Sequence, residues 1–466
     1  MNLLVPIPEF DSVVIARAIF WALLPVVLFG PRKWAVIAWL LMANLDATGP
    51  SKMVNSHIGW INVVKNLGLP VFLLFRLRMA RSSVWRSLPA VCWGLLVAYA
   101  SVAALWSAFP LAAAKIVANM AGILLVVIVL ERSARLGLLD ARSLPVFICG
   151  SLALALLQTY LLGGKTYGFD GSDQAVRLTS FVGAQQFAAL LVAFLAMALW
   201  MRPMKPAWRG LLVMALLGGV LLNGSRTWFA GAFVVLSIYT WIEIRKVLGP
   251  LVLAGAGALL ILLLAANFGL LNSDRYWNTN SRLIATLNAV LTGQDTPGRA
   301  GLRNLSFRTR IYMGMYDDLS SSKLPQVVLG HGTSNGGAVA ATILRRGYRV
   351  DPNRAVHNEW FRVQYEWGIV GLLFWGMASL GIVVAAIQNY KLVPENRMSA
   401  ALLAYLPGMG LALVTENIFA GAGSAVTIGF SVLLVCAFYS PVASESRSTE
   451  PDGSIGEPYT GATVYA

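Results

Sequence analysis

Residues 180–201, SFVGAQQFAALLVAFLAMALWM, contain no charged side chain. An α-helix of about 20 apolar residues is long enough to cross the hydrocarbon core of a bilayer, which is about 30 Å thick. This run of sequence therefore predicts a transmembrane helix. Because similar runs recur on both sides of it, the same argument decides the fold class of the whole chain.

The composition agrees with that prediction. Of the 466 residues, 57% are hydrophobic and 12% are charged, and the mean hydropathy is +0.68. A soluble globular protein has a smaller apolar share and about twice the charged share. We therefore predict an all-α, polytopic integral membrane protein with about 12 transmembrane helices (12 or 13), and one long loop that carries short helices.

The predicted spans divide the chain into four parts. Residues 1–270 form an N-terminal bundle of about ten spans, 271–358 form the long loop, 359–440 form the C-terminal spans, and the polar tail 441–466 is expected to be disordered. The spans are predicted near residues 13–30, 34–45, 58–75, 88–108, 111–130, 144–162, 180–201, 209–223, 227–244, 248–270 and 359–388, and within 399–440, which residues 421–425 divide.

Basic residues predict the orientation. The formal net charge is +15, and Arg and Lys concentrate in alternate short loops, as they do on the cytoplasmic side of membrane proteins. The other set of loops, which includes the long one, then faces the opposite side. With 13 spans the N-terminus lies on that outer side and with 12 it lies inside; the sequence leaves both open. The N-terminus lacks the basic segment and cleavage site of a secretory signal, so its first apolar run is expected to be retained.

The long loop is unusually basic. Residues 271–356 hold eleven basic and five acidic residues, a net charge of +6. Arginine binds phosphate with two parallel hydrogen bonds, so an arginine-rich surface suits a pyrophosphate or a phosphorylated lipid. Contact with anionic headgroups is the alternative for each loop arginine.

Two segments of the loop have recognisable patterns. Ile311, Met315 and Leu319 recur at i, i+4 and i+8, which predicts an amphipathic helix over 306–319 that lies on or near the bilayer. The neighbouring Asp317 and Asp318 point in different directions on such a helix and indicate a solvated face. The following VVLGHGTSNGGA, with His331 as a loop residue, is a glycine-rich turn without the ending of a nucleotide-binding loop.

No motif predicts a cofactor. The cysteines Cys92, Cys149 and Cys436 lie in apolar runs without metal-ligand spacing, which indicates packing residues. The sequence also lacks metalloenzyme and Walker motifs. We expect no metal, no cofactor, no nucleotide and no nucleic acid.

A histidine stands at the start of the helix that follows the loop. Glu359, Arg362 and Glu366 recur on one helical face, and Trp360 and Trp367 lie on the other. Asn358 is a suitable N-cap, which places His357 beside the positive end of the helix dipole. That field favours neutral imidazole, the form that a general base requires. A capping or headgroup-facing histidine is the alternative interpretation.

The spacing of this segment resembles the signature of the O-antigen ligases, which are GT-C-type membrane glycosyltransferases. His357-Asn358 is followed after nine residues by Gly368 and then by Gly371-Leu372. In LLNGSRTWFAG (221–231), FRTRIYMG (307–314) and VVLGHGTSNGG (327–337), the order and spacing are also similar to that superfamily over about residues 175–375. The family pattern differs after Arg177, where VRLTSFVGAQQFAA has Gln185-Gln186 in place of the usual Gly and Pro-Asn.

The resemblance implies metal-independent, inverting transfer of a polysaccharide from undecaprenyl diphosphate to the lipid A core oligosaccharide. The membrane would be the bacterial inner membrane and the active site would face the periplasm. By motif, His357 resembles the general base, Asn358 caps and orients it, and Arg226, Arg308, Arg310 and Arg177 hold the diphosphate. Snorkelling to the lipid interface is the alternative role for Arg226. The partners are the lipid-linked donor, the lipid A core acceptor and membrane lipids.

Two other functions remain open at this stage. An O-antigen or exopolysaccharide polymerase would use the same lipid-linked donor and the same residues. A transporter of a lipid-linked glycan would instead require ionisable residues at mid-span and broken helices in matching halves. The candidate charges cluster at span ends and in one loop, which favours chemistry at a surface.

Overall fold

The computed structural model describes residues 12–45, 60–77, 87–140, 143–162, 165–166, 176–201, 204–243, 301–343, 356, 358–394, 396–415 and 425–439. Within these residues the protein is helical. Its only strands among them are β1 (Lys165–Thr166) and β2 (Val176–Arg177), which pair antiparallel with Lys165 opposite Arg177. The predicted all-α class is therefore confirmed, with this two-residue ribbon as a local exception.

The N-terminal helices follow the predicted apolar runs. They are α1 (Ser12–Phe29), α2 (Arg32–Met42), α3 (Trp60–Val63), which continues through a π-helical turn (Val64–Gly68) into α4 (Leu69–Arg76), α5 (Leu88–Ala103), α6 (Pro110–Arg135), α7 (Ser143–Leu156) with a π-helical turn (Leu157–Leu161), α8 (Ala184–Trp200), α9 (Pro206–Asn223) and α10 (Arg226–Glu243). A short 3₁₀ turn (Ala104–Trp106) follows α5.

The remaining helices belong to the long loop and the C-terminal region. They are α11 (Gly301–Ser320), α12 (Leu324–Leu329), α13 (Asn335–Ile343), α14 (Glu359–Leu392), α15 (Met398–Thr415) and α16 (Ala425–Tyr439). The predicted span at 248–270 and the polar tail lie outside the described residues.

The local sequence explains where these helices start and stop. Proline occupies the first turn of α5, α6 and α9, where its missing N–H costs nothing. Gly224 ends α9 in the left-handed conformation, with φ 67°, which glycine adopts without a steric penalty.

Among the residues that the structure describes, five helices are each long and apolar enough to cross a membrane. They are Leu88–Trp106, Pro110–Arg135, Ser143–Tyr160, Pro206–Asn223 and Glu359–Leu392. Five further apolar helices in the described residues have 10–17 residues. Membrane-spanning helices are thus present, and the total of 12 or 13 spans stays a prediction.

One end of the bundle, which we call the basic end, gathers arginines and lysines from several helix termini. Lys33 Nζ lies 2.7 Å from Asp140 Oδ2, Arg132 Nη1 donates to the Leu74 carbonyl at 2.9 Å, and Arg397 pairs with Glu243 at 3.1 Å. Burial alone would raise the pKa of Asp140, but hydrogen bonds from Lys33 and the nearby Ser143 lower it to about 2. These contacts connect the α2 start, the α6–α7 loop and the ends of α4 and α10.

The opposite end, which we call the loop end, carries the helices of the long loop. Thr333 of that loop donates its hydroxyl to the Ala100 carbonyl near the end of α5, at 2.7 Å. Tyr312 Oη donates to the Val414 carbonyl at the end of α15, at 3.4 Å. The loop helices therefore pack on the termini of the apolar helices, at the end away from the basic cluster.

The amphipathic helix predicted at 306–319 is present as part of α11. The prediction that its apolar face lies on or near the bilayer was wrong. Ile311, Met315 and Leu319 are buried in a small second core with Ala340, Val356 and Tyr365. The apolar face of α11 is therefore covered by the protein itself and does not lie on the bilayer. Spacing identifies an apolar face, but it carries no information about what covers that face.

Candidate functional site

The first part of α14 is set apart by a break at Gly368. This glycine has φ 60° and ψ −158°, inside an otherwise continuous helix. A Cβ atom at this position would lie 2.6 Å from the backbone nitrogen of Gly330, so only glycine permits both the conformation and the close approach. The break divides α14 into residues 359–367, which together with Asn358 we call the entry segment, and an apolar second half.

The glycine-rich turn of the long loop caps the broken end of the entry segment. A helix leaves its last carbonyls without partners, and here two of them are satisfied from outside. The backbone N–H of His331 donates to the Tyr365 carbonyl at 2.9 Å, and the N–H of Gly332 donates to the Glu366 carbonyl at 3.1 Å. The turn thus replaces the hydrogen bonds that Gly368 interrupts.

Thr333 connects this turn to the membrane helices. Its hydroxyl accepts a hydrogen bond from Trp367 Nε1 at 2.9 Å while donating to the Ala100 carbonyl. Ser107 Oγ, just after α5, donates to the Thr333 carbonyl at 2.6 Å. The entry segment, the turn and the end of α5 are therefore joined through one buried threonine.

His331 contributes its ring as well as its backbone. Nδ1 lies 3.1 Å from the Tyr365 carbonyl oxygen, which can only accept, so Nδ1 carries the hydrogen. Nε2 lies 2.9 Å from Ser322 Oγ, and the ring stacks on the ring of Tyr365 with centroids 4.2 Å apart. The sequence identified His331 only as a loop residue, whereas the structure makes it a cap of the entry segment.

The predicted N-cap at the other end of the entry segment is confirmed. Asn358 is buried, and its Oδ1 accepts a hydrogen bond from the backbone N–H of Phe361 at 3.0 Å. His357 lies outside the described residues, but both of its neighbours are described. Val356 is fully buried in the second core, so the chain is held on either side of position 357.

The charged face of the entry segment is buried. Arg362 Nη1 pairs with Glu359 Oε1 at 3.0 Å, and its Nε and Nη2 lie 3.2 and 3.4 Å from the two oxygens of Glu366. All three side chains are at most 4% exposed. Trp360, on the face predicted to be apolar, is instead 36% exposed. In the sequence, the signal for this cluster is the set of charges at i, i+3 and i+7 beside an apolar helix. Charged residues in such a position usually face the protein interior and pair with one another.

The segment of α11 that follows two predicted arginines touches the entry segment directly. The ring of Tyr312 stacks on that of Phe361 with centroids 5.6 Å apart, and Tyr365 Oη donates to Asp318 Oδ2 at 2.6 Å. Arg308 and Arg310 lie within one turn before Ile311 on the same helix. Arg310 is exposed, and the side chain of Arg308 lies outside the described residues. Asp318 is thus a contact of the site and not only a solvated residue.

Arg226 begins α10, whose packing against α15 determines its level in the bundle. Glu243 pairs with Arg397, and a Cβ on Gly408 would lie 2.9 Å from the Cα of Gly231. The two helices are therefore antiparallel, and the start of α10 lies beside the end of α15, where Val414 accepts the hydrogen bond from α11. The backbone of Arg226 is consequently at the loop end; its side chain lies outside the described residues.

The backbone of Arg177 also lies at the loop end, as the contacts of its neighbour Leu178 show. The backbone N–H of Leu178 donates to the Leu222 carbonyl at 3.2 Å, four residues before Arg226. Asn223 Nδ2 donates to the carbonyls of Leu178 and Ala184 at 2.8 and 2.9 Å. The structure therefore places the backbones of Arg177 and Arg226, and helix α11 with Arg308 and Arg310, at the same end of the bundle. Of the four arginine side chains, only that of Arg310 is among those described.

The described residues contain no group of three or more His, Cys, Asp or Glu that could hold a metal ion. The loop end offers a buried Val356 and a buried Asn358 on either side of position 357, near α10, which begins with Arg226, and α11, which carries Arg308 and Arg310. Such a frame suits binding of an anionic group and proton transfer at a fixed position.

Comparison with known families identifies one match. Residues 211–376 match the family model described as O-antigen ligase. That range runs from within α9, through α10 and the long loop, to Gly376 in the second half of α14. It includes Arg226, Arg308, Arg310, His357 and Asn358. A comparison with curated proteins finds no match.

Proposed function

We propose that the protein is a ligase that transfers a polysaccharide from undecaprenyl diphosphate to the lipid A core oligosaccharide. The match of residues 211–376 to the O-antigen ligase family model supports this proposal. The observation that carries the proposal is the second core, in which Val356, next to His357, packs against Ile311 and Met315 of α11. The second core thus joins the residue before the proposed base to α11, the helix that carries Arg308 and Arg310.

In the proposed reaction, His357 takes the proton from a hydroxyl of the acceptor sugar. The hydroxyl oxygen forms a bond to the anomeric carbon of the donor as the bond from that carbon to the diphosphate oxygen breaks. Undecaprenyl diphosphate leaves with the electron pair, and the single displacement inverts the anomeric configuration. Arg226 and Arg308, with Arg310 and Arg177, hold the diphosphate and stabilise its developing charge. Asn358 orients the base.

The distribution of charge supports a site on the outer face of the bacterial inner membrane. Basic residues at the basic end, among them Lys33, Arg132 and Arg397, are typical of a cytoplasmic face. The proposed site lies at the opposite end. This arrangement also favours surface chemistry over transport, because the charged cluster of the entry segment lies at a helix end and not at mid-span.

A reaction with purified components tests the proposal. The protein is incubated with undecaprenyl-diphosphate-linked glycan alone, with lipid A core alone, and with both. We expect product only with both substrates, and we expect the glycan on the core. Product from the glycan alone, in the form of a longer lipid-linked chain, would identify a polymerase and refute the ligase assignment.

A further inference from the structure

Glu366 contacts three separate parts of the structure. Its two carboxylate oxygens face the guanidinium of Arg362, and its carbonyl accepts from Gly332. Its Oε1 also lies 3.1 Å from the position that a Cβ would occupy on Gly336, at the start of α13. One residue thus joins the entry segment, the glycine-rich turn and α13.

The chain on both sides of position 357 depends on these contacts. Before it, a Cγ atom of Val356 lies 3.6 Å from the same Cβ position on Gly336. After it, the carbonyl of Asn358 accepts the backbone N–H of Arg362 at 3.1 Å. Arg362 therefore binds Asn358 through its backbone N–H and Glu366 through its guanidinium group. In α13, Gly336 lies beside both Glu366 and Val356.

Stability alone does not explain why these side chains are charged. Removing ions from water is costly, and a buried ion pair is often no more stabilising than apolar residues of similar volume. An ion pair with several hydrogen bonds supplies a defined geometry, since two guanidinium nitrogens of Arg362 each face a different oxygen of Glu366. Glu359 lies in the first turn of α14, and the carboxylate of Glu366 lies beside Gly336, in the first turn of α13. Both negative charges are therefore near the positive end of a helix.

Resting on the proposed function, we propose that Glu366 is a positioning residue for glycan transfer. Its ion pair with Arg362 fixes the entry segment against α13 and the glycine-rich turn, and so fixes Val356 and Asn358, the two residues that flank the proposed base in the chain. Glu366 touches neither substrate. Its loss therefore lowers the rate of transfer without weakening the binding of the donor.

Three variants test this role. Glu366→Gln keeps the size of the side chain and removes its charge. The triple variant Glu359→Gln, Arg362→Gln, Glu366→Gln removes all the charges of the cluster, so that no buried ion is left without a partner. Glu243→Gln is the matched control, because it breaks an ion pair between two helices at the basic end. For each purified variant, kcat per folded molecule, KM for the lipid-linked donor and Tm are measured.

We expect kcat to fall about 100-fold in Glu366→Gln, as a misplaced catalytic group implies, with KM changed less than about threefold. In the triple variant Tm recovers and kcat does not. Glu243→Gln keeps wild-type kcat. Wild-type kcat per folded molecule in either Glu366→Gln or the triple variant would overturn the inference. If His357→Ala is inactive at the same time, the proposed function stands and only the role of Glu366 fails.

Discussion

The two halves of α14 follow opposite rules, although they belong to one helix. In the entry segment the buried side chains include Glu359, Arg362 and Glu366. Beyond Gly368 the inward positions include the small residues Gly371, Ala378, Gly381 and Ala386, while large apolar side chains are exposed. These exposed residues are Ile369, Leu373, Met377, Leu380, Val384, Ile387 and Leu392.

The difference separates a second half that suits the bilayer from an entry segment that packs on the loop helices. Small inward residues allow close helix packing in lipid, and large outward residues face the hydrocarbon. The second half contacts α5 in this way, with Gly381 against Pro89. In the entry segment, inward side chains instead make polar contacts with the long loop and its helices. Gly368 is the boundary between the two.

The largest expected effect comes from removing that boundary. Gly368→Ala requires a strained left-handed conformation and a Cβ 2.6 Å from Gly330 N, so we expect the free energy of unfolding to fall by about 3 kcal/mol and transfer to be lost. Gly376→Ala is the matched control in the second half, because its Cβ meets nothing within 4 Å. Thermal melting and transfer assays measure both. Equal behaviour of the two variants would remove the distinction between the halves.

A smaller effect is expected at the proposed diphosphate site. Arg226→Lys keeps the charge but loses the two-pronged grip on a phosphate, which corresponds to about a 30-fold loss of transfer at about 2 kcal/mol for a charged hydrogen bond. Arg209→Lys, near the start of α9 at the basic end, is the control and is expected to keep full activity. Full activity of Arg226→Lys would indicate a snorkelling residue.

The contact between the turn and the entry segment predicts an effect on stability. Thr333→Val leaves Trp367 Nε1 without its acceptor in a buried position, and we expect the free energy of unfolding to fall by about 2 kcal/mol. Thr342→Val, whose hydroxyl bonds the Ala338 carbonyl on an exposed turn of α13, should change it by at most about 0.5 kcal/mol. Denaturation of the two variants side by side measures the difference.

No effect is expected from a chelator. The proposed reaction relies on guanidinium groups to stabilise the leaving diphosphate, so EDTA at millimolar concentration should leave the rate of transfer unchanged. A loss of activity that Mg²⁺ or Mn²⁺ restores would assign part of that role to a metal ion.

The sequence predicted the helices and one cap, because these depend on local pattern. Apolar runs located the described helices outside the long loop, and the i, i+4, i+8 spacing located α11. The short helices α12 and α13 overlap the segment 327–338, which the sequence predicted as a glycine-rich turn. Asn358 was recognised as an N-cap because capping involves a residue and its own helix. Each of these features is encoded within one segment of chain.

The features that the sequence did not predict all need a distant partner. The break at Gly368 depends on the close approach of Gly330, and the role of His331 depends on the Tyr365 carbonyl, 34 residues away in the chain. The apolar face of α11 could have been covered by lipid or by protein, and spacing does not distinguish the two. The same limit applied to Glu366 and Arg362, whose burial depends on α13.

The most direct test of the account is the transfer reaction with His357→Ala, using undecaprenyl-diphosphate-linked glycan and lipid A core together. We predict that the variant inserts in the membrane at wild-type level, melts at the wild-type temperature and forms no glycan-bearing core. Wild-type amounts of that product would contradict the claim that the frame around position 357 exists to hold a general base.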